Sequence, residues 1–155
     1  MTAGTVAAAR SRLGYMLARD ALMPWRTVRQ NVEFGMELRG VGKSERLRNA
    51  ERLMDMMKLG PYMDHYPGQL SQGQRQRVAL ARTWAISPEV LLMDEPFSAL
   101  DAQTREVLQN EFLDIWMRGK KSIIFVTHDL NEAVTLADRI IGFPKGRSCS
   151  SSKCC

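Results

Sequence analysis

Hydrophobic residues along this chain follow two patterns. Short apolar runs of strand length occur at residues 13–17, 90–93 and 122–126. Between them, apolar side chains recur every three or four positions, as one face of a helix requires. Residues 27–38 place Val28, Val32 and Met36 on such a face. Ser44 is positioned to cap a second helix carrying Leu47, Ala50, Leu53, Met54 and Met57 inward, with Gly60 closing it. Tyr66-Pro67-Gly68 reads as a turn. Ser71 caps a third helix, predicted to run to about residue 86, that buries Val78, Leu80 and Ala81 and turns a basic face outward. Asp101 caps a long helix with Leu108, Phe112, Ile115 and Trp116 inward, ended by Gly119. A helix over 130–137 and a last strand over 139–143 complete the pattern. Residues 1–11 read as loop or frayed terminus, and Pro24 forces an extended turn over 20–25. Strands alternating with helices predict an α/β domain with a parallel sheet and right-handed crossovers. Neither an internal repeat nor a second domain is visible.

Composition narrows the class. The 155 residues, 45% of them hydrophobic, suit one domain with its own core. The net charge is +5, and the pI near 9.4 permits contact with nucleic acid, anionic lipid or nucleotide phosphate. The basic residues are dispersed (Arg46, Arg48, Arg52, Arg75, Arg77, Arg82), which favours ordinary helix-surface charge over a nucleic-acid footprint. No apolar stretch reaches the roughly 18–20 residues that span a bilayer. The first residues are rich in Ala and Arg and faintly suggest a transit peptide, but a strand entering the domain explains residues 12–17 better. Cys149, Cys154 and Cys155 all lie in a Ser-, Lys- and Cys-rich tail, without the further ligands a zinc site needs, so the tail is expected to be disordered.

Candidate chemistry concentrates between residues 70 and 129. Ser71, Gly73 and Gln74 open a helix, where unpaired amides and the positive dipole end favour an anion and glycine admits a phosphate close to the backbone. Asp94 and Glu95 end an apolar strand. Adjacent acids there point different ways, so one can serve a metal and the other a reacting water. His128 follows a second apolar strand and precedes Asp129 and a capped helix. Gly42-Lys43-Ser44 mimics the end of a phosphate-binding P-loop. Glu37 stands where that loop needs its first glycine, and the preceding stretch is helical, so Ser44 reads as a helix start instead.

The stretch LSQGQRQRVALARTWAISPEVLLMDEPFSALD, followed by Thr127-His128-Asp129, resembles the ATP-binding cassette (ABC) ATPases that power membrane transporters. The resemblance implies an incomplete P-loop NTPase-like fold: a partial parallel sheet with helices and a helical signature subdomain over about 27–86. It implies a signature motif at Ser71, Gly73 and Gln74 that contacts the γ-phosphate of nucleotide held by another subunit, with Gln72 replacing the usual first glycine. Asp94 becomes the Walker B aspartate near Mg²⁺, Glu95 the general base and His128 the switch histidine. Ser98, Ala99, Leu100 and Asp101 become the D-loop at the dimer interface. Residues 14–25 resemble the Q-loop region, with Ala18 where the family has glutamine. Ala-Leu-Met-Pro-Trp-Arg-Thr-Val and Asp101-Ala102-Gln103-Thr104-Arg105-Glu106 look particularly like importers of nitrate, sulfonate and taurine.

The implied cofactors are ATP and Mg²⁺. The implied partners are a second ATPase subunit, transmembrane permease subunits and, indirectly, a periplasmic or surface solute-binding protein; nucleic acid is not among them. The implied location is the cytoplasmic face of the cell membrane. The expected domain covers 13–145, between a frayed terminus at 1–12 and a disordered tail at 146–155. The resemblance carries no Walker A segment, so the chain reads as truncated before the Q-loop and, alone, inactive in ATP hydrolysis. A non-catalytic remnant or regulatory interaction module is the alternative reading. A DNA-associated ABC ATPase is a weaker one, since those proteins use long coiled-coil or tandem architectures.

Overall fold

The computed structural model describes residues 13–17 and 20–143. Ala18, the expected frayed terminus and the cysteine tail lie outside the described residues. Strands β1 (Leu13–Met16), β2 (Val90–Asp94) and β3 (Ser122–Val126) form a three-stranded sheet in the order β1-β2-β3. Both pairings are parallel, with Met16 beside Met93 and Asp94 beside Val126. Parallel strands end on the same side, so the residues following β2 and β3 gather along one rim of the sheet. Open α/β sheets bind their ligands at such a rim.

Helices α1 (Val28–Leu38), α2 (Lys43–Met56) and α3 (Gln72–Ala85) lie between β1 and β2. Short 3₁₀ turns at Gly60–Tyr62 and Pro67–Gln69 connect α2 to α3. Helix α4 (Ala102–Gly119) links β2 to β3, and α5 (Leu130–Leu136) follows β3. Thr27 caps α1 through a reciprocal box with Gln30, and Val28, Val32 and Met36 are buried as their spacing requires. Asp101 caps α4, with Leu108, Phe112 and Ile115 inward. The core runs from Met54 and Leu59 through Val78 and Trp84 to Leu91 and Met93. Phe97 sits at its centre, with ring centroids 6.2 Å from Phe112 and 6.0 Å from Phe125.

Several expectations need correction. Helix α2 starts two residues earlier than predicted: Gly42 is its N-cap, and Ser44 lies inside the first turn with no capping bond. Gly60 does not close that helix. The chain turns at Lys58, whose φ is 55°, and Gly60 opens the following 3₁₀ turn. Gly119 is the last helical residue of α4, and Lys120 takes the left-handed cap position. Residues 139–143 form no strand, because no strand among the described residues offers them a ladder. Ile140, Ile141 and Phe143 are exposed. The basic residues of α3 are not a free surface either. Arg75 pairs with Asp20, Arg77 with Glu111, and Arg82 donates to the carbonyls of Asp20 and Ala21.

One sheet face, built from Met16, Leu91 and Met93, packs on the helices. The opposite face is open, with Tyr15 56%, Ile124 57% and Val126 54% exposed. Among the described residues no helix is long and apolar enough to cross a membrane.

Candidate functional site at the carboxyl rim of the sheet

Beyond Asp94 the backbone bends sharply. The Glu95 amide still donates to the Val126 carbonyl at 2.8 Å, extending the ladder by one bond. Glu95 itself has φ 46°, a left-handed conformation that costs an L-residue energy. Its surroundings hold it there: the Ser98 amide and hydroxyl both donate to the Glu95 carbonyl, at 3.2 and 2.9 Å. The buried Gln76 amide of α3 donates to the next carbonyl, that of Pro96. The bend swings the Glu95 carboxylate across to β3, where Oε1 lies 2.9 Å from His128 Nδ1. That hydrogen bond, and then the carboxylate charge, raise the imidazole pKa above its ordinary value. With Nδ1 facing a carboxylate, Nε2 is the nitrogen left to meet a ligand, and in the imidazolium it is a donor.

The turn carrying His128 is itself knotted. Thr127 Oγ1 donates to buried Glu132 at 2.7 Å and accepts from the Asp129 amide at 3.0 Å. Asp129 Oδ1 caps α5 by accepting from the amides of Asn131 and Glu132. Its other oxygen takes Arg105 Nη1 at 3.0 Å, and Arg105 Nη2 donates to the Leu100 carbonyl, also at 3.0 Å. Sequence reasoning placed Arg105 only in a subgroup motif. An arginine one turn after an Asp N-cap gives no sign of which carbonyl or carboxylate it will reach.

Ser71, Gly73 and Gln74 open α3 as expected. Ser71 Oγ accepts from the Gln74 amide at 3.3 Å, and Gln74 Oε1 accepts from the Ser71 amide at 2.8 Å. The other amides of the first turn have no partner within the helix, so an anion can use them. Gly73 has a further, structural reason to be glycine. A Cβ there would stand 2.7 Å from Thr104 Cγ2, on the first turn of α4. Gly73 therefore lies against the start of the helix that follows residues 98–101.

The structure thus gathers Asp94, Glu95 and His128 at one rim, and brings the Ser71 helix tip beside the Asp101 cap. No hydrogen bond or ion pair from a described residue engages the Asp94 carboxylate. Among the described residues no cluster of three or more ligating side chains can hold a metal alone. A single carboxylate suits Mg²⁺, which completes its shell with phosphate oxygens and water.

A second relationship was also invisible in sequence. Asn31 is fully buried, and its side chain bonds Met23 N at 2.9 Å and the carbonyls of Met23, Arg26 and Thr27 at 3.2, 3.0 and 3.0 Å. It shapes the loop that presents Trp25, which is 73% exposed.

Known proteins resemble this chain as follows. An uncharacterised ABC transporter ATP-binding protein of Methanocaldococcus jannaschii is 55% identical over 83% of this chain and 48% of its own length. A nitrate import ATP-binding protein of Synechocystis is 49% identical over 82% of this chain and 48% of its own. A taurine import ATP-binding protein of Pseudomonas savastanoi pv. phaseolicola is 48% identical over 83% of this chain and 49% of its own. The chain therefore spans about half the length of the curated relatives it matches. The family model described as ABC transporter matches residues 1–98, which include the Ser71 helix tip and the Asp94-Glu95 pair. On that match the chain belongs to the ABC transporter family.

Proposed function

We propose that this chain forms part of the ATP-binding, ATP-hydrolysing subunit of an importer for small anions such as nitrate, sulfonates or taurine. The observation that carries the reading is the 2.9 Å contact between Glu95 Oε1 and His128 Nδ1, beside the Asp94 carboxylate, which no described residue bonds. Asp94 would hold Mg²⁺, and the bound ion would neutralise phosphate charge. Glu95 serves as the base for the attacking water, using the oxygen not bonded to His128. His128 keeps Nε2 for the terminal phosphate, and the raised pKa favours the imidazolium, which can donate there. Ser71, Gly73 and Gln74 offer their helix tip to nucleotide held by a second ATPase subunit. Residues 98–101 lie at that subunit interface. Permease subunits and an upstream solute-binding protein complete the assembly on the cytoplasmic face of the membrane.

The anion class is supported by the subgroup motifs around Trp25 and Asp101 and by the names of the nitrate and taurine relatives. The test mixes the full chain with a full-length nitrate-import ATP-binding relative and follows association by sedimentation with and without Mg-ATP. Association that needs nucleotide, and that Ser71→Ala weakens, supports the reading. Association indifferent to nucleotide would overturn it in favour of a non-catalytic interaction module.

A further inference from the structure

We propose that Arg105 is a positioning residue that locks residues 98–101 to the His128 turn, so that displacement of that loop moves the imidazole. The proposal rests on the reading of Glu95 and His128 given above. Arg105 projects from the first turn of α4 and reaches across to two other segments. Nη2 holds the Leu100 carbonyl and Nη1 holds Asp129 Oδ2, each at 3.0 Å, while Nε lies 3.8 Å from Glu132 Oε1. The guanidinium is planar and rigid, so these contacts fix the spacing between Leu100 and Asp129 rather than merely attracting one to the other. Beyond Arg105 the turn behaves as one body. Thr127, Asp129 and Glu132 are cross-bonded, and His128 is carried on the backbone between the first two. Apart from the His128–Glu95 contact, Arg105 makes the side-chain hydrogen bond that ties this body to another element among the described residues. Any shift of Leu100 is therefore passed to the segment that aims the imidazole at Glu95.

A plainer role also fits part of the geometry: Arg105 could serve only as the counter-charge for the buried Glu132 carboxylate. The two roles separate by variant. Arg105→Lys keeps a charge beside Glu132 but cannot span Leu100 and Asp129 as a fork. Asp129→Asn keeps a side-chain oxygen to cap α5 but weakens the tie from the opposite side.

The experiment uses the full ¹⁵N-labelled chain at fixed pH. It records the His128 imidazole resonances and the amide exchange of residues 98–101 in wild type, Arg105→Lys, Asp129→Asn and Glu95→Gln, with a thermal melt for each. In both Arg105→Lys and Asp129→Asn, His128 Nδ1 is expected to move most of the way toward its position in Glu95→Gln. Exchange at 98–101 is expected to quicken in Asp129→Asn, although that substitution lies on the far side of the link. Wild-type His128 resonances and unaltered exchange at 98–101 in Asp129→Asn would overturn the proposal, whatever the melts show. A wild-type resonance already matching Glu95→Gln would overturn the Glu95–His128 reading itself, and the proposal with it.

Discussion

Glu95 and His128 come from different strands and meet at 2.9 Å because a left-handed residue follows β2. The contact has a definite sign. The folded imidazole titrates above its ordinary value, chiefly through the hydrogen bond to Glu95 and then its charge. It therefore stabilises the fold fully below the ordinary imidazole pKa and fades as pH rises through the raised one. Glu95→Gln is expected to lower the His128 midpoint toward the ordinary value near 6.5, read by NMR titration of the imidazole protons. Asp129 and Glu132 raise the same pKa more weakly and should leave a small residue of the shift. An unchanged midpoint would show that the two side chains do not meet in solution.

The placement of Asp94 and Glu95 at the rim was legible in sequence because run length and end chemistry coincide. A run such as Val90-Leu91-Leu92-Met93 can be a buried strand, and Asp94-Glu95 at its end can only lie at the sheet rim. The helices α3 and α4 were equally legible from Ser71 and Asp101 as caps and from the apolar spacing behind them, and α1 from its apolar spacing alone. What failed was local competition and tertiary context. Ser44 and Gly42 are both plausible starts, and only the path from Val41 decides between them. Residues 139–143 have strand composition, but a strand needs a partner that composition cannot supply. Arg105, Asn31 and Gln76 act through backbone carbonyls far away in sequence, and nothing about an Arg, Asn or Gln says which carbonyl it will find.

Gly73 offers a test of why that position is glycine. Alanine in a helix is favoured over glycine by about 1 kcal/mol on propensity alone. Here the added Cβ would meet Thr104 Cγ2 at 2.7 Å, so packing opposes propensity. Gly73→Ala is expected to destabilise by about 1–3 kcal/mol in urea unfolding, as overpacked sites do. Thr104→Ser removes the offending methyl and should restore most of the loss in the double variant. Equal stability of Gly73→Ala and wild type would mean that Thr104 rotates aside at no cost.

Asn31 is a buried polar group with every bond satisfied, which makes its removal costly. Asn31→Leu would leave the Met23 amide and the Arg26 carbonyl without their side-chain partner. Stranding a fully buried polar group costs about 1–3 kcal/mol, and these half-buried ones should fall toward the lower end. The loop around Trp25 should loosen as well. Faster amide exchange at residues 23–27, together with the lowered unfolding midpoint, is the expected pair of results. A lowered midpoint with unaltered exchange would assign Asn31 to packing of α1 alone.

The open face of the sheet makes the last expectation. Parallel sheets are ordinarily covered on both faces, yet Tyr15 on β1 and Ile124 and Val126 on β3, on either side of Leu92 of β2, have more than half their surface exposed. Contiguous apolar area of this kind drives association, and the edges of β1 and β3, unpaired among the described residues, add backbone groups beside it. The purified chain is therefore expected to self-associate as concentration rises. Ile124→Lys and Val126→Glu place charges on that face without touching the packed one, where Leu91 and Met93 lie. Light scattering should show the double variant shifted toward monomer while its melting midpoint stays within a few degrees of wild type. A wild-type chain that stays monomeric at high concentration would show that this face is covered, and the charged pair should then lower the midpoint instead.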